Sequence, residues 1–259
     1  METLPLDILL YIIDLLTDGD DEHVKSLRIL SQVCKSMVPL CRKHLFSSLN
    51  LHRESDSERF SALLLKNPDI ARYVKSFHYA VCHLPISVHE LNILHILKKR
   101  SSLQSIRVQS AMCWNNLAES IRSSLVSLIQ LPTVTSLSIE SFKGFPSTAL
   151  SGCGNLNHLQ LGGLNLATST PEVNQVISRS KIPAPLSLII STQSLFLNAD
   201  TYGFASFLNS ASLHADGPIV DFSRLQKAVF QAYTRDDINQ VNELIKVTTR
   251  LEHMEIICE

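Results

Sequence analysis

No Cys-x-x-Cys pair occurs among the six cysteines, Cys34, Cys41, Cys82, Cys113, Cys153 and Cys258. Their separations of 7, 41, 31, 40 and 105 residues also leave no Cys/His cluster of zinc-finger spacing. Scattered, reduced and mostly buried thiols are therefore expected. Glycine is scarce, at 8 residues, and no glycine-rich phosphate loop is present. Neither sign of charge dominates: 23 basic against 24 acidic side chains give a net charge of −1. That balance offers no electrostatic reason to expect nucleic acid or an anionic membrane as partner. The leading METLPLDILLYIIDLL lacks the basic region and small-residue cleavage site of a secretory signal, and Asp7 and Asp14 interrupt it as a membrane span. No Asn-x-Ser/Thr acceptor occurs. An intracellular protein is the expectation.

What is plentiful is leucine (40) and serine (33), over a quarter of the 259 residues together. High leucine with little glycine suggests a layered, repetitive build. At 45% hydrophobic the chain has ample material for a large core and no signature of disorder. The charges are uneven: residues 1–100 carry 13 basic and 12 acidic groups, residues 101–259 only 10 and 12. The chain changes character near its first third or earlier.

The segment Leu4–Leu16, LPLDILLYIIDLL, is apolar almost all round a helix, with Pro5 and Asp7 suited to a first turn. Leu4, Ile8, Ile12 and Leu15 form one stripe, and Leu6, Leu9, Leu10 and Ile13 form others. After the acidic turn TDGDDE, Val24–Val38 reads as a second helix with Leu27, Leu30, Val33, Cys34 and Met37 at helical spacing. Pro39 disturbs it, and Leu40–Leu49 continues as a short basic third helix. Three short helices are too small to cover the first on every side, and apolar area left open is usually a docking surface.

LPLDILLYIIDLL followed by LRILSQVCKSMVPLCRKHLF resembles the F-box family, with its leading LPxE/DILxxI motif and later VCKxW helix. The resemblance covers about residues 4–47. It implies docking on the Skp adaptor of cullin–RING ubiquitin ligases through Leu4, Pro5, Ile8, Leu9, Ile12, Leu30, Val33, Cys34 and Met37. Met37 stands where the family has tryptophan, which reduces the aromatic area available for docking. The following SERFSALLLK reads as a helix stopped at Asn67-Pro68, and NPDIARYVKSF is similar to a segment that follows the F-box in many fungal-type members.

Strings of LxxLxL type recur at VKSFHY (74–79), LQSIRV (103–108), VTSLSI (134–139), LNHLQL (156–161), TQSLFL (192–197), LQKAVF (225–230) and LEHMEI (251–256). Their starts lie 29, 31, 22, 36, 33 and 26 residues apart. CGNLNHLQL, with Cys153 ahead of Leu156, resembles the cysteine-containing leucine-rich repeat. Amphipathic segments at His89–Lys99, Trp114–Leu131 and Asp236–Val247 alternate with the strings. Seven strand–helix units stacked as a solenoid are expected, with a doubly wound α/β domain as the alternative. The repeat's asparagine is missing, Cys82 and Asp200 being its only plausible equivalents. On a concave strand face, His78, Arg107, Gln109, Glu140, His158, Gln160, Phe196 and Asn198 are the candidate contacts for a protein ligand. The last string ends on a strand, so an exposed edge and a short or truncated family member are expected.

Catalytic patterns fail on spacing. His89-Glu90 would need its second zinc-binding histidine at Ile93, and His95 lies too far along the helix. Gly152-Cys153-Gly154 lacks the further glycine of a dinucleotide loop, and Cys113-Trp114 has no histidine partner at a recognisable spacing. Asp20-Asp21-Glu22 reads as a solvated loop. The fold class expected is α/β: an F-box-like helical unit (1–50), a helical connector (51–73) and a degenerate leucine-rich-repeat solenoid (74–259). The function expected is substrate recognition for a Skp–cullin–F-box ubiquitin ligase, without catalysis, metal or cofactor. Its partners would be a Skp-type adaptor, a cullin reached through it, and a protein substrate. The alternative is a ligase-independent repeat scaffold with the helical unit as its cap.

Overall fold

The computed structural model describes residues 5–15, 21–33, 37–81, 87–163, 165–167, 182–191, 220–232 and 235–258. Three helices open it: α1 (Leu6–Leu15), α2 (Asp21–Val33) and α3 (Met37–Leu45). They share a small core of Ile13, Leu27, Met37 and Cys41, with Leu9, Leu30, Leu40 and Leu45 packed against it. The second helix is described as far as Val33, and Val38 already belongs to the third. Pro39 sits inside the first turn of α3, where a missing N–H breaks no helical bond, so it begins the third helix instead of disturbing the second.

The rest is an α/β structure around one eight-stranded sheet. Its strands are β1 (Ser48–Leu51), β2 (Ser76–Val81), β3 (Ser105–Ser110), β4 (Ser136–Glu140), β6 (His158–Gly162), β8 (Ser187–Ser191), β9 (Lys227–Ala232) and β10 (His253–Cys258). All neighbours pair in parallel, and their order across the sheet is their order along the chain. A doubly wound sheet reverses strand order at its middle, and no such reversal occurs among these strands. Two short strands, β5 (Lys143–Pro146) and β7 (Asn165–Ala167), form a separate parallel pair.

The strand positions follow from side-chain spacing. Each strand of the main sheet begins two residues into a string of form apolar-x-x-apolar-x-apolar, and from β1 to β9 the second and third apolar residues point into the core, whereas Met254 and Ile256 in those places on the edge strand β10 are 41% and 37% exposed. Phe77 and Tyr79, Ile106 and Val108, Leu137 and Ile139, and Leu159 and Leu161 are all buried in this way. Two strands escape the string search. β1 follows Phe46, giving Phe46-x-x-Leu49-x-Leu51 in a segment whose leucines also suit a helix. β8 follows Pro185, giving Pro185-x-x-Leu188-x-Ile190, with proline in the leading place. The string at 192–197 lies outside the described residues, and the sheet's strand in that part of the chain is β8.

One backbone motif locks each strand to the next. The carbonyl just before a strand accepts two successive N–H groups of its neighbour: Ser47 from Lys75 and Ser76, Lys75 from Gln104 and Ser105, and Gln104 from Thr135 and Ser136. The same pair recurs at Thr135, Asn157, Leu186 and Gln226. The N–H groups at the start of every main-sheet strand after β1 are thus satisfied without side chains.

Helices α4 (Glu54–Lys66), α5 (Val88–Arg100), α6 (Glu119–Ile129) and α7 (Arg235–Val247) cover the apolar side. α4 stops at Asn67-Pro68, as the sequence indicates, and a 3-10 helix, Pro68–Tyr73, follows. The large core runs from Leu49 and Leu51 through Leu64 and Ile70 to Val241 and Leu244. The sheet and its core therefore begin at β1, ahead of residue 74. Cys153 lies in this core, its thiol donating to the Ile129 carbonyl at 3.4 Å. Phe142 follows β4, three places after Ile139. It is fully buried beside Trp114 and Phe145, with ring centroids 5.6 and 6.1 Å away.

Leu159 is 1% exposed in a central strand, whereas Leu65 is 70% exposed on α4. Leu159→Ala is expected to lower unfolding free energy by about 2–5 kcal/mol, against less than about 0.5 kcal/mol for Leu65→Ala. Urea titrations of both variants check the contrast.

Candidate functional site

The residues between the buried strand positions form the opposite face of the sheet. Parallel register aligns them in rows that cross the strands. The first row is Ser48, Ser76, Ser105, Ser136, His158, Ser187, Lys227 and His253. The second is Asn50, His78, Arg107, Ser138, Gln160, Ile189, Val229 and Glu255. A third carries Ala80, Gln109, Glu140, Gly162 and Ser191. Five serines in one row help explain the serine excess: a small hydroxyl fits the crowded strand starts and leaves the face flat.

One polar cluster stands out on this face. Arg107 Nη2 donates to Glu140 Oε2 at 2.8 Å, and Ser138 Oγ donates to Glu140 Oε1 at 2.9 Å. The Glu140 side chain is 14% exposed and the Arg107 side chain 49%, so the carboxylate is held and the guanidinium faces outward. Gly162 leaves the space Glu140 uses: a Cβ there would meet Glu140 Cγ at 3.2 Å. Beside Arg107, His78 packs edge-on against His52, with ring centroids 4.5 Å apart. His78 Nε2 is buried and has no hydrogen-bond partner. Desolvation by burial holds the His78 pKa below its ordinary value, with further lowering from His52 and Arg107 and an opposing pull from Glu140.

Six of the eight residues expected on this face are on it: His78, Arg107, Gln109, Glu140, His158 and Gln160. Phe196 and Asn198, like Cys82 and Asp200, lie outside the described residues. Sequence reasoning missed His52, Ile189 and Val229. Ile189 and Val229 face each other in register and turn the second row from polar to apolar. The signal for Ile189 is the LSLII run around β8, and Val229 follows from alternation in the LQKAVF string, between buried Ala228 and Phe230.

The N-terminal helices offer the second surface. Ile8 (43% exposed), Ile12 (37%) and Val33 (70%) are open, as are Tyr11 and Ile29. Pro5 is exposed, and Leu9 and Leu30 are half-buried against the small core. Met37 is the correction in this group. It is buried in that core at the start of α3, packed with Ile13, Leu27 and Cys41, so it offers no free contact. Leu4 and Cys34 lie outside the described residues.

An open groove of about 520 Å³ lies along the loops that lead into the strands, lined by residues such as Gln104, Thr133, Asn157 and Arg224. Among the described residues its lining has no His, Cys, Asp or Glu, and Thr135 and Asn155 in its wall already donate to Gln104 and Pro132 carbonyls. Glu90 is a buried helix cap: its carboxylate accepts from the Ser87 N–H at 3.3 Å and from Ser57 Oγ at 3.5 Å. Among the described residues no group of three His, Cys, Asp or Glu side chains could hold a metal, and no helix is long and apolar enough to cross a membrane.

No family model, curated protein or solved structure matches the chain.

Two outcomes follow from the pKa directions. Folded His78 holds a proton less tightly than the unfolded chain, whose value is 6.5. The unfolded state therefore binds more protons as pH drops, and stability present above that value is lost as pH falls through the folded one. The urea midpoint should fall between about pH 7.5 and about pH 5.5, and fall less in His78→Gln. Burial pushes the Cys153 thiol up to about 12. Alkylation at about pH 8 should leave Cys153 unmodified until urea is added, while half-buried Cys113 reacts, as peptide mass mapping would show.

Proposed function

We propose that this chain is a substrate-recognition subunit of a Skp–cullin–F-box ubiquitin ligase. In this reading α1–α3 form an F-box-like unit that docks on the Skp adaptor. The sheet and its covering helices form a degenerate leucine-rich-repeat solenoid that holds a protein substrate. The chain performs no chemistry itself. It raises the concentration of substrate near the ligase by tethering the two.

The observation that carries the adaptor half is exposed apolar surface where the F-box resemblance puts its contacts. Ile8, Ile12 and Val33 are open to solvent while Ile13, Leu27 and Met37 fill the small core behind them. A helical unit serving only to cap the sheet would turn Ile8 and Ile12 inward, so their exposure weighs against the scaffold reading. The repeat half is supported by strand order that follows chain order and by the recurring bifurcated backbone bonds. For the substrate half, the support is a sheet face lined by polar side chains rather than by a catalytic set.

Co-purification with a Skp adaptor tests the proposal. Wild type should form a one-to-one complex, and Ile8→Asp should weaken it at least tenfold, roughly the effect of burying an unpaired charge in an apolar contact. Because Ile8 is 43% exposed, the variant should keep the wild-type melting temperature. A soluble wild-type chain that forms no complex overturns the ligase reading.

A further inference from the structure

The sheet face is not uniform from one end to the other, and the difference specifies a ligand. Its β1–β4 end carries the cluster already described. Arg107 is oriented by its bond to Glu140, which is itself fixed by Ser138. That arrangement occupies one guanidinium nitrogen and leaves a side chain 49% exposed. Beside it the His78 imidazole keeps a buried nitrogen without a partner, and His52 stands exposed against the same ring. Arg107 and two imidazoles together favour an anionic group with several acceptor oxygens, which means a carboxylate or a phosphate.

Further along the same row, Ile189 on β8 and Val229 on β9 lie side by side in register and are half-buried. They are apolar where β2 and β3 are polar. Three strand spacings separate β3 from β8 in the order β3-β4-β6-β8. At about 4.8 Å per spacing this is about 14 Å, and β9 is about 19 Å away. An extended peptide advances about 3.3 Å per residue, so the two ends of the row lie about four to six residues apart along it.

We infer that the sheet face takes an extended peptide laid across the strands, with an acidic or phosphorylated side chain on Arg107 and His78 and an aliphatic one on Ile189 and Val229. The two anchors are about four to six residues apart in the peptide. This rests on the substrate-binding role given to the face above and names the chemistry of what binds there. Four other titratable or charged groups face His78 or share its row: His52, Arg107, Glu140 and Glu255. Of these, Glu140 is already paired and Glu255 lies at the far end, beyond Val229. An anion bound at His78 stabilises its protonated form, so binding should tighten as pH falls towards about 6.

The test uses the full chain and synthetic Gly/Ser peptides with one glutamate and one leucine about five residues apart. Matched peptides replace the glutamate with phosphoserine or glutamine, or the leucine with serine. Histidine-ring NMR spectra follow the titration. The His78 resonance should shift saturably with the glutamate or phosphoserine peptide. It should move at least about tenfold less readily with the glutamine peptide or with Arg107→Gln. Ile189→Ser should weaken binding of the leucine peptide and leave that of the serine peptide unchanged. The glutamate and phosphoserine arms decide which anion is preferred. Equal binding of the glutamate and glutamine peptides overturns the inference, as does an unchanged response in a folded Arg107→Gln variant or no response at any concentration. None of these readouts involves the adaptor: failure here leaves adaptor docking standing, and loss of adaptor docking leaves this site standing.

Discussion

A single carbonyl accepting two N–H groups, repeated from Ser47 to Gln226, sets the register of every strand pair in the main sheet. Because it uses backbone alone, it tolerates uneven intervals of 22 to 40 residues between successive accepting carbonyls and the replacement of a leading leucine by Pro185. Register in turn decides which side chains meet. A slip of one residue would turn Phe77, Ile106, Leu137 and Leu159 outward and bury Arg107 and Glu140. Core and binding face are thus two consequences of one constraint.

Much of the fold was legible because the spacing of buried residues is a local property. Apolar-x-x-apolar-x-apolar can be read within six residues, and it located β2, β3, β4, β6, β9 and β10. It failed at β1 because Leu45 and Leu49 also satisfy helical spacing, and tertiary pairing with β2 decided the matter. At β8 proline hid the leading position and the leucines of TQSLFL competed for the same place. The stop of α4 was read from Asn67-Pro68, whereas the Ser87/Glu90 cap that begins α5 was not read from the sequence.

The candidate site was legible only in part, for a physical reason. Which residues face away from the core follows from alternation, so His78, Arg107 and Glu140 could be named individually. That Arg107 bonds Glu140, 33 residues later, depends on the register of β3 against β4 and on the space left by Gly162. That His52 meets His78 depends on β1 joining the sheet. Met37 illustrates the opposite error. Its place in the F-box motif suggested an adaptor contact, and packing with Ile13, Leu27 and Cys41 holds it in the small core.

The separation of the small helical core from the large one that covers the sheet underlies the proposed division of labour, with one surface for the ligase and one for the substrate. Hydrogen–deuterium exchange of the full chain with and without a Skp adaptor tests that division most directly. The account predicts slowed exchange confined to α1 and α2, with the strands from β2 to β9 unchanged. Protection appearing on the sheet strands, or none in the helices, would contradict it.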